Sequence, residues 1–169
     1  RIAELFDRLE MGRGSLDRVA VSNGPGSYTG IRVGVATAMG LARALDIPCT
    51  GVSLLKAIAM TSDGPGDRIV SLPLGRSGYC WQHFNESGTA DPRSVPETGG
   101  LEKLIGSAAV GSAAAVFLQS DVFAAIDSPN ERFIDIGRDL AVRVGLASAF
   151  LDDGLVPFYA ADPKLGASA

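Results

Sequence analysis

The sequence predicts an α/β protein of two lobes, and three observations indicate this. Strand-like and helix-like segments alternate from residue 17 to residue 60, which is typical of a parallel sheet. The stretch 62–67, rich in glycine and aspartate, reads as a linker. Two strand-like runs around a glycine-containing turn follow it. We therefore expect a first lobe over 1–65 and a second over 66–169.

The first lobe is expected to begin with an amphipathic helix, because Ile2, Leu5, Phe6 and Leu9 recur at helical spacing. Pro48 should end a long helix rich in small residues. Ser53 is a candidate N-cap for the helix after it. The remaining predicted elements are a strand over 17–21, a glycine loop over 22–30, the long helix over 29–45, a strand over 49–52 and a helix over 54–60.

The second lobe carries weaker signals. Its most regular periodicity predicts a helix over 134–150, with Ile136, Leu140, Val144 and Ala147 on one side. The other predicted elements are strands over 68–74, 78–84 and 108–111, a helix over 101–105 and a loop over 89–100.

Composition restricts the function classes. The chain has 169 residues, 46% hydrophobic and 20% charged, which excludes a disordered protein. Its formal net charge of −4 lacks the basic balance of a nucleic-acid-binding domain. No apolar run reaches the length of a membrane span. Two cysteines cannot form a disulfide framework, which favours reduced thiols in the cytoplasm. A single histidine excludes a multi-histidine metal site within the chain. The chain starts with Arg1, so we expect a fragment.

The glycine loop is the most informative stretch. Gly24 and Gly26 permit unusual backbone angles, and Ser27 and Thr29 can cap the following helix. The spacing matches neither a P-loop, which needs a lysine, nor the dinucleotide fingerprint, which needs a third glycine where Thr29 stands. Either the loop binds an anion through free amides, or it only closes the fold.

Small residues form a stripe along the long helix, at Gly30, Gly34, Ala38 and Ala42. Glycine inside a helix costs about 0.5–1 kcal/mol relative to alanine, so a close backbone contact should offset that cost. The stripe packs either against the chain's own sheet or against a partner. In the second case the apolar face of the first helix would complete the interface, whose candidate residues are Ile2, Leu5, Phe6, Leu9, Gly34, Ala38 and Ala42.

Other chemistry-bearing residues favour structural roles. Strand alternation would separate His83 from Cys80, and no carboxylate is indicated near the imidazole. Asp135 and Asp139 are interpreted as part of a solvated helix face. Ser27 lacks both a nucleophile elbow and a base.

The run from Gly24 to Ala42 closely resembles the TsaB (YeaZ) family, in its loop Gly24-Pro25-Gly26-Ser27-Tyr28-Thr29-Gly30 and in Arg32. Ile47-Pro48 and Gly51-Val52-Ser53 continue the resemblance. Looser matches are Arg76-Ser77-Gly78 in a second-lobe hairpin and Pro157-Phe158-Tyr159 with Asp162-Pro163-Lys164 near the end.

The resemblance implies the duplicated actin/hexokinase/Hsp70-like (ribonuclease H-like) α/β fold, with the opening strands of the first lobe missing here. It implies a role in making threonylcarbamoyladenosine beside the anticodon of tRNA. Family members are non-catalytic partners of the paralogue TsaD, work with the ATPase TsaE, and form homodimers through first-lobe helices.

The resemblance also bears on metal binding. TsaD-like chains follow the equivalent helix with Gly-Val-Asn-His-Leu-Glu-Gly-His, whose histidines bind metal, whereas this chain has Leu54 and Ile58 at those places. Aliphatic side chains offer no ligand atom. We therefore expect no metal, no cofactor and no catalytic residue.

The leading hypothesis is a non-catalytic subunit that binds a TsaD-like protein, with tRNA reached only through the complex. The alternatives are a nucleotide- or phosphate-binding enzyme of the same fold and a purely structural homodimer.

Overall fold

The computed structural model describes residues 2–64, 66–75, 78–89, 95–110, 113–127, 130, 132–137 and 139–160. Arg76, Ser77, Pro163 and the rest of the C-terminal tail after 160 therefore lie outside the description, as does Arg1. Within the described residues helices and strands alternate, which confirms the predicted α/β class.

The first two strands of the chain, β1 (Val19–Gly24) and β2 (Cys49–Ser53), form a parallel pair. The helix α1 (Ile2–Arg8) precedes them, and α2 (Tyr28–Leu45) connects them. The helix α3 (Leu54–Thr61) follows β2 directly. A parallel pair requires such a crossover, so α2 is the helix of a β–α–β unit.

Five later strands form a second sheet. Its order is β5-β4-β3-β6-β7, in which β3 pairs antiparallel with β4 and parallel with β6. The strands are β3 (Arg68–Pro73), β4 (Tyr79–Phe84), β5 (Glu97–Gly99), β6 (Ala115–Leu118) and β7 (Phe133–Asp135). The helices are α4 (Leu101–Val110), α5 (Ser120–Phe123) and α6 (Leu140–Ala147).

Buried side chains cover both faces of this sheet. Alternation along β4 places Cys80 and Phe84 in one apolar cluster and Trp81 in the other. Leu55 and Ile58 of α3 pack in the first of these clusters, so α3 joins the two sheets. The helix α6 packs back on α3 and β1.

The helix predicted over 134–150 is wrong in its first part, because Phe133–Asp135 is the strand β7, paired with β6. The strand predicted over 108–111 is also wrong, since α4 continues to Val110. The loop predicted over 89–100 contains β5. The two-residue periodicity of Ile134 and Ile136 fits a strand end better than a helix face.

The described helices include none that is both long enough and apolar enough to cross a membrane.

Candidate interaction surface

The glycine loop joins the end of β1 to the start of α2. Gly24 has a φ of 127° and is followed by a cis peptide bond to Pro25. Ser27 is the N-cap of α2, and its Oγ accepts a hydrogen bond from Gly30 N at 3.0 Å. The capping role expected for Ser27 is therefore confirmed. Ser53 has extended N-cap geometry before α3, but its side chain makes no capping bond.

The C-terminal segment, residues 152–160, lies across the carboxyl ends of β1 and β2. Phe158 N donates to Asn23 O at 2.7 Å, and Asn23 Nδ2 donates to Gly154 O at 3.0 Å. Asp153 N donates to Gly51 O at 2.8 Å. Open α/β sheets bind ligands at this edge. Here the chain's own backbone occupies it.

Asp153 anchors the C-terminal segment to the start of α3. Its Oδ2 accepts a hydrogen bond from Ser53 N at 2.9 Å, and its Oδ1 pairs with the ammonium group of Lys56. This bond satisfies the backbone N–H of Ser53, the N-cap residue itself, and not an N–H of the first turn. The start of α3 is thus tied to a residue 100 positions later.

Arg32, on the second turn of α2, is held between two tyrosines. Its guanidinium carbon lies 4.2 Å from the ring centroid of Tyr28, and its Nε donates to Tyr159 Oη at 2.9 Å. The ring centroids of Tyr28 and Tyr159 are 4.7 Å apart. The hydrogen bond to Tyr159 raises the pKa of Arg32, which keeps this exposed side chain a cation.

The buried face of α2 corrects the interpretation of the small-residue stripe. Ala38 and Ala42 are buried within the chain, together with Ile31 and Val35. A Cβ added to Gly34 would lie 3.9 Å from Val21 Cγ2 of β1, which is ordinary packing distance. Because α2 packs on β1 and β2, the structure favours the alternative in which these residues face the chain's own sheet.

The opposite face of α2 is exposed and carries mainly small, uncharged side chains, with Arg32 and Arg43 along one side of them. One turn of α-helix has 3.6 residues, so positions three and four apart share a face. The exposed residues at this spacing are Thr29, Val33, Ala36, Thr37, Gly40 and Ala44. We call this set the outer face of α2.

The helix α1 has no buried residue in the structure. Ile2, Leu5 and Leu9 are exposed, whereas Phe6 is half-buried. These four side chains line an apolar groove of about 310 Å³ together with Leu41 of α2 and Val19 of β1. The candidate interface residues at the start of the chain therefore lie next to the side of α2 that carries Leu41.

The positions expected to lack metal ligands lie in or beside the core. Ile58 is fully buried and Leu54 is half-buried against the same cluster. In the part of the chain that the structure describes, no three His, Cys, Asp or Glu residues form a group that could hold a metal ion.

The other two candidates for chemistry lie on β4. His83 Nε2 lies 3.2 Å from Ser107 Oγ. Burial raises the pKa of the Cys80 thiol to about 12.

Comparison with known proteins supports the resemblance of the first lobe. Residues 1–76 match the family model described as TsaD, tRNA N6-adenosine threonylcarbamoyltransferase. The tRNA threonylcarbamoyladenosine biosynthesis protein TsaB of Bacillus subtilis is 43% identical over 58 residues, 34% of this chain and 25% of that protein. The TsaB protein of Haemophilus influenzae is 39% identical over 61 residues, 36% of this chain and 26% of that protein. The matched stretch thus spans about a quarter of these relatives.

Solved structures extend the likeness to nearly the whole fold. YeaZ from Pseudomonas aeruginosa has a TM-score of 0.59 at 18% identity, covering 94% of this chain and 80% of that one. A second Pseudomonas aeruginosa structure, an uncharacterized protein with similarity to peptidase YEAZ, has a TM-score of 0.57 at 19% identity, covering 88% and 73%. These likenesses confirm the predicted actin-like α/β fold. The named relatives add a similarity in sequence to TsaB proteins over about a third of the chain.

Proposed function

We propose that the chain is a non-catalytic subunit of the machinery that makes threonylcarbamoyladenosine in tRNA, and that it acts by binding a TsaD-like catalytic protein. The names of the relatives and the matching family model support the pathway. The outer face of α2 supports the mode of action, because it offers a partner a row of small, uncharged side chains on an 18-residue helix.

The small side chains of this face favour close helix–helix packing. A Cβ added to Gly40 would meet no atom within 4 Å, so the space beside it is open. Val33 and Met39 are 59% and 47% exposed on this helix, and apolar side chains of this size gain by burial. The exposed Ile2, Leu5 and Leu9 of α1 extend the surface on the Leu41 side.

The same surface accommodates the other expected partners. A second copy of the chain can occupy the outer face of α2 when the TsaD-like protein is absent, which makes homodimer and heterodimer compete. A TsaE-like ATPase joins the assembled heterodimer, and tRNA is reached only through the complex. The proposal places the protein in the cytoplasm.

The test uses this chain and the TsaD-like protein of the same organism, with Gly40→Leu as the variant. We expect a stable heterodimer for the wild type by light scattering on a sizing column. Gly40→Leu should weaken it at least about tenfold, because a bulky side chain enters a close-packed interface. Formation of threonylcarbamoyladenosine by the reconstituted proteins should fall in parallel.

Gly106→Leu is the matched control. Gly106 is also exposed, lies in the helix α4, and has no atom within 4 Å of an added Cβ. It should bind like the wild type. Equal binding by both variants would contradict the interface, and failure of the wild type to bind would contradict the proposed function.

A further inference from the structure

The strand β1 is open on the side away from β2. Val19 N donates to Pro48 O at 2.9 Å, so the backbone of Val19 points towards β2. Successive residues of a strand direct their N–H and C=O groups to opposite sides, so those of Ala20 and Ser22 point away from β2. Among the described residues, β1 pairs with β2 and with no other strand. Ala20 and Ser22 therefore form a free strand edge.

The helices α2 and α6 lie on opposite faces of this edge. Val21 Cγ2 lies 3.9 Å from where a Cβ on Gly34 of α2 would stand, so the Val21 side chain is directed towards α2. The side chain of Ala20 packs in the same apolar cluster as Val144 of α6. Adjacent residues of a strand point to opposite faces, so the free edge lies between two layers of helices.

An apolar groove runs along the edge on each of these faces. The groove beside α1 and α2 has a volume of about 310 Å³, and its lining includes Leu5, Leu9 and Leu41. The groove beside α6 also has a volume of about 310 Å³, and its lining includes Leu140 and Ala141. The residue common to both linings is Ala20, as expected where no strand covers it. A strand on this edge would place alternate side chains in the two grooves.

Uncovered apolar positions continue both grooves outward. At the start of the chain, Ile2, Leu5 and Leu9 are 47%, 54% and 57% exposed. On α6, Gly145 lies one turn beyond Ala141, is exposed, and would have no atom within 4 Å of an added Cβ. The occupant of this surface must therefore pair with a strand edge and also cover apolar positions on both faces.

A second copy of this chain meets both requirements. A two-fold axis beside Val21, perpendicular to the sheet, sets Ala20 of one copy opposite Ser22 of the other, and each such pair exchanges two hydrogen bonds. The strand Val19–Gly24 carries no charge, so two copies of it approach without like-charge repulsion. The same axis brings α1 to α1 and α6 to α6. A lone strand of another protein would pair with the edge but would leave these helices uncovered.

We propose that a second copy adds to the free edge of β1, so that two copies share one continuous sheet of order β2-β1-β1-β2. None of the residues in the outer face of α2 lines either groove. This pairing therefore leaves the outer face free for a different partner. The contact is independent of the proposed function, which concerns that face.

The experiment follows the 169-residue chain by analytical ultracentrifugation and by amide hydrogen exchange over a range of protein concentrations. We expect a dimer. The amides of Ala20 and Ser22 should exchange about tenfold or more slowly where the dimer predominates than where the monomer does. The amide of Val19 should be protected equally at every concentration, because its acceptor belongs to the same copy.

Two variants test the edge and its flank. Ala20→Pro removes an outward N–H without touching the bond from Val19 to Pro48, and should weaken the dimer about a hundredfold, because the two-fold axis repeats the loss. Leu5→Lys changes an exposed side chain of α1, should leave the monomer folded, and should weaken the dimer about tenfold. Ile105→Lys is the matched control, since it changes an exposed apolar side chain of α4 and should dimerise like the wild type.

Four results would overturn the inference. They are a wild type that stays monomeric at all concentrations, a dimer that Leu5→Lys leaves intact, and amides of Ala20 and Ser22 that are already protected in the monomer. The fourth is a dimer that Gly40→Leu abolishes, because that contact would lie on the outer face of α2. Binding of the TsaD-like protein is measured separately, so none of these results decides the proposed function.

Discussion

The carbonyl oxygen of Gly154 occupies the space that a Cβ atom on Gly51 would fill. Gly51 lies in the middle of β2, where its carbonyl also accepts the hydrogen bond from Asp153 N. Gly24, at the end of β1, is approached in the same way by the carbonyl of Phe158. The two glycines, which lie on adjacent strands and have no side chain, thus leave the space that the backbone of the C-terminal segment occupies.

Gly51→Ala should displace the C-terminal segment, because the obstructing atom is backbone and cannot rotate away. We expect a loss of about 1–3 kcal/mol in the free energy of unfolding by urea. Hydrogen exchange should also accelerate at the amides of Asp153 and Phe158. Gly40→Ala is the control, since it should stabilise the exposed part of α2 by about 0.5–1 kcal/mol. Unchanged exchange in Gly51→Ala would refute this account of the contact.

Arg68→Met should destabilise the protein strongly. The buried Arg68 guanidinium donates to the carbonyl oxygens of Ala59, Ser62, Gly64 and Glu86. Methionine of similar length would leave these acceptors without a donor, which should cost about 3 kcal/mol or more.

Arg68→Lys tests the geometry of this site, because one ammonium group cannot reach four separate carbonyls. It should recover only part of the loss in the same urea measurement. Lys103→Met, at an exposed surface pair with Glu97, should change stability by no more than about 0.5 kcal/mol. Arg68→Lys with wild-type stability would show that charge alone suffices.

Ser27→Ala should remove the N-cap of α2. The loss of the bond from Gly30 N to Ser27 Oγ should cost about 1 kcal/mol in the free energy of unfolding. Ser27→Asp should retain most of the stability, because a carboxylate accepts the same bond and favours the helix N-terminus. Equal losses in the two variants would contradict the capping role.

Stability should fall in alkaline solution because of Cys80. Burial raises the thiol pKa in the folded state from 9.0 to about 12. Below pH 9 both states hold the proton and the contribution is fully present. Above pH 9 the unfolded state loses its proton first, so this residue should lower the free energy of unfolding by about 1.4 kcal/mol per pH unit until pH 12.

Cys80→Ala should remove that part of the alkaline slope when urea unfolding is compared between pH 8 and pH 10.5. Cys49→Ala is the matched control, because Cys49 is only half-buried. Identical slopes in the wild type and Cys80→Ala would show that other groups account for the alkaline loss.

The elements of the first lobe follow from local sequence. Tyr28–Leu45 begins at a serine cap and ends before Pro48, and these signals fix the helix almost to the residue. Which face of this helix is buried was harder to predict, because Gly30 and Gly34 suggested that a stripe of small residues forms a close contact. The apolar repeat of Ile31, Val35, Ala38 and Ala42 was the better signal for the buried face.

Contacts between distant residues could not be predicted. Tyr159 meets Arg32 across 127 positions, and no periodicity relates them. Short edge strands such as Glu97–Gly99 and Phe133–Asp135 arise from pairing with their neighbours, so three residues carry too little local preference to reveal them.

The position of Asp153 has a consequence for how the protein is made. Its carboxylate and backbone complete hydrogen bonds at Ser53 and Gly51, which leave the ribosome about a hundred residues earlier. The edge of the β1–β2 sheet therefore stays open on the ribosome until Asp153 and its neighbours have been synthesised. A nascent chain that stalls before this residue would lack the carboxylate that binds Ser53 and Lys56.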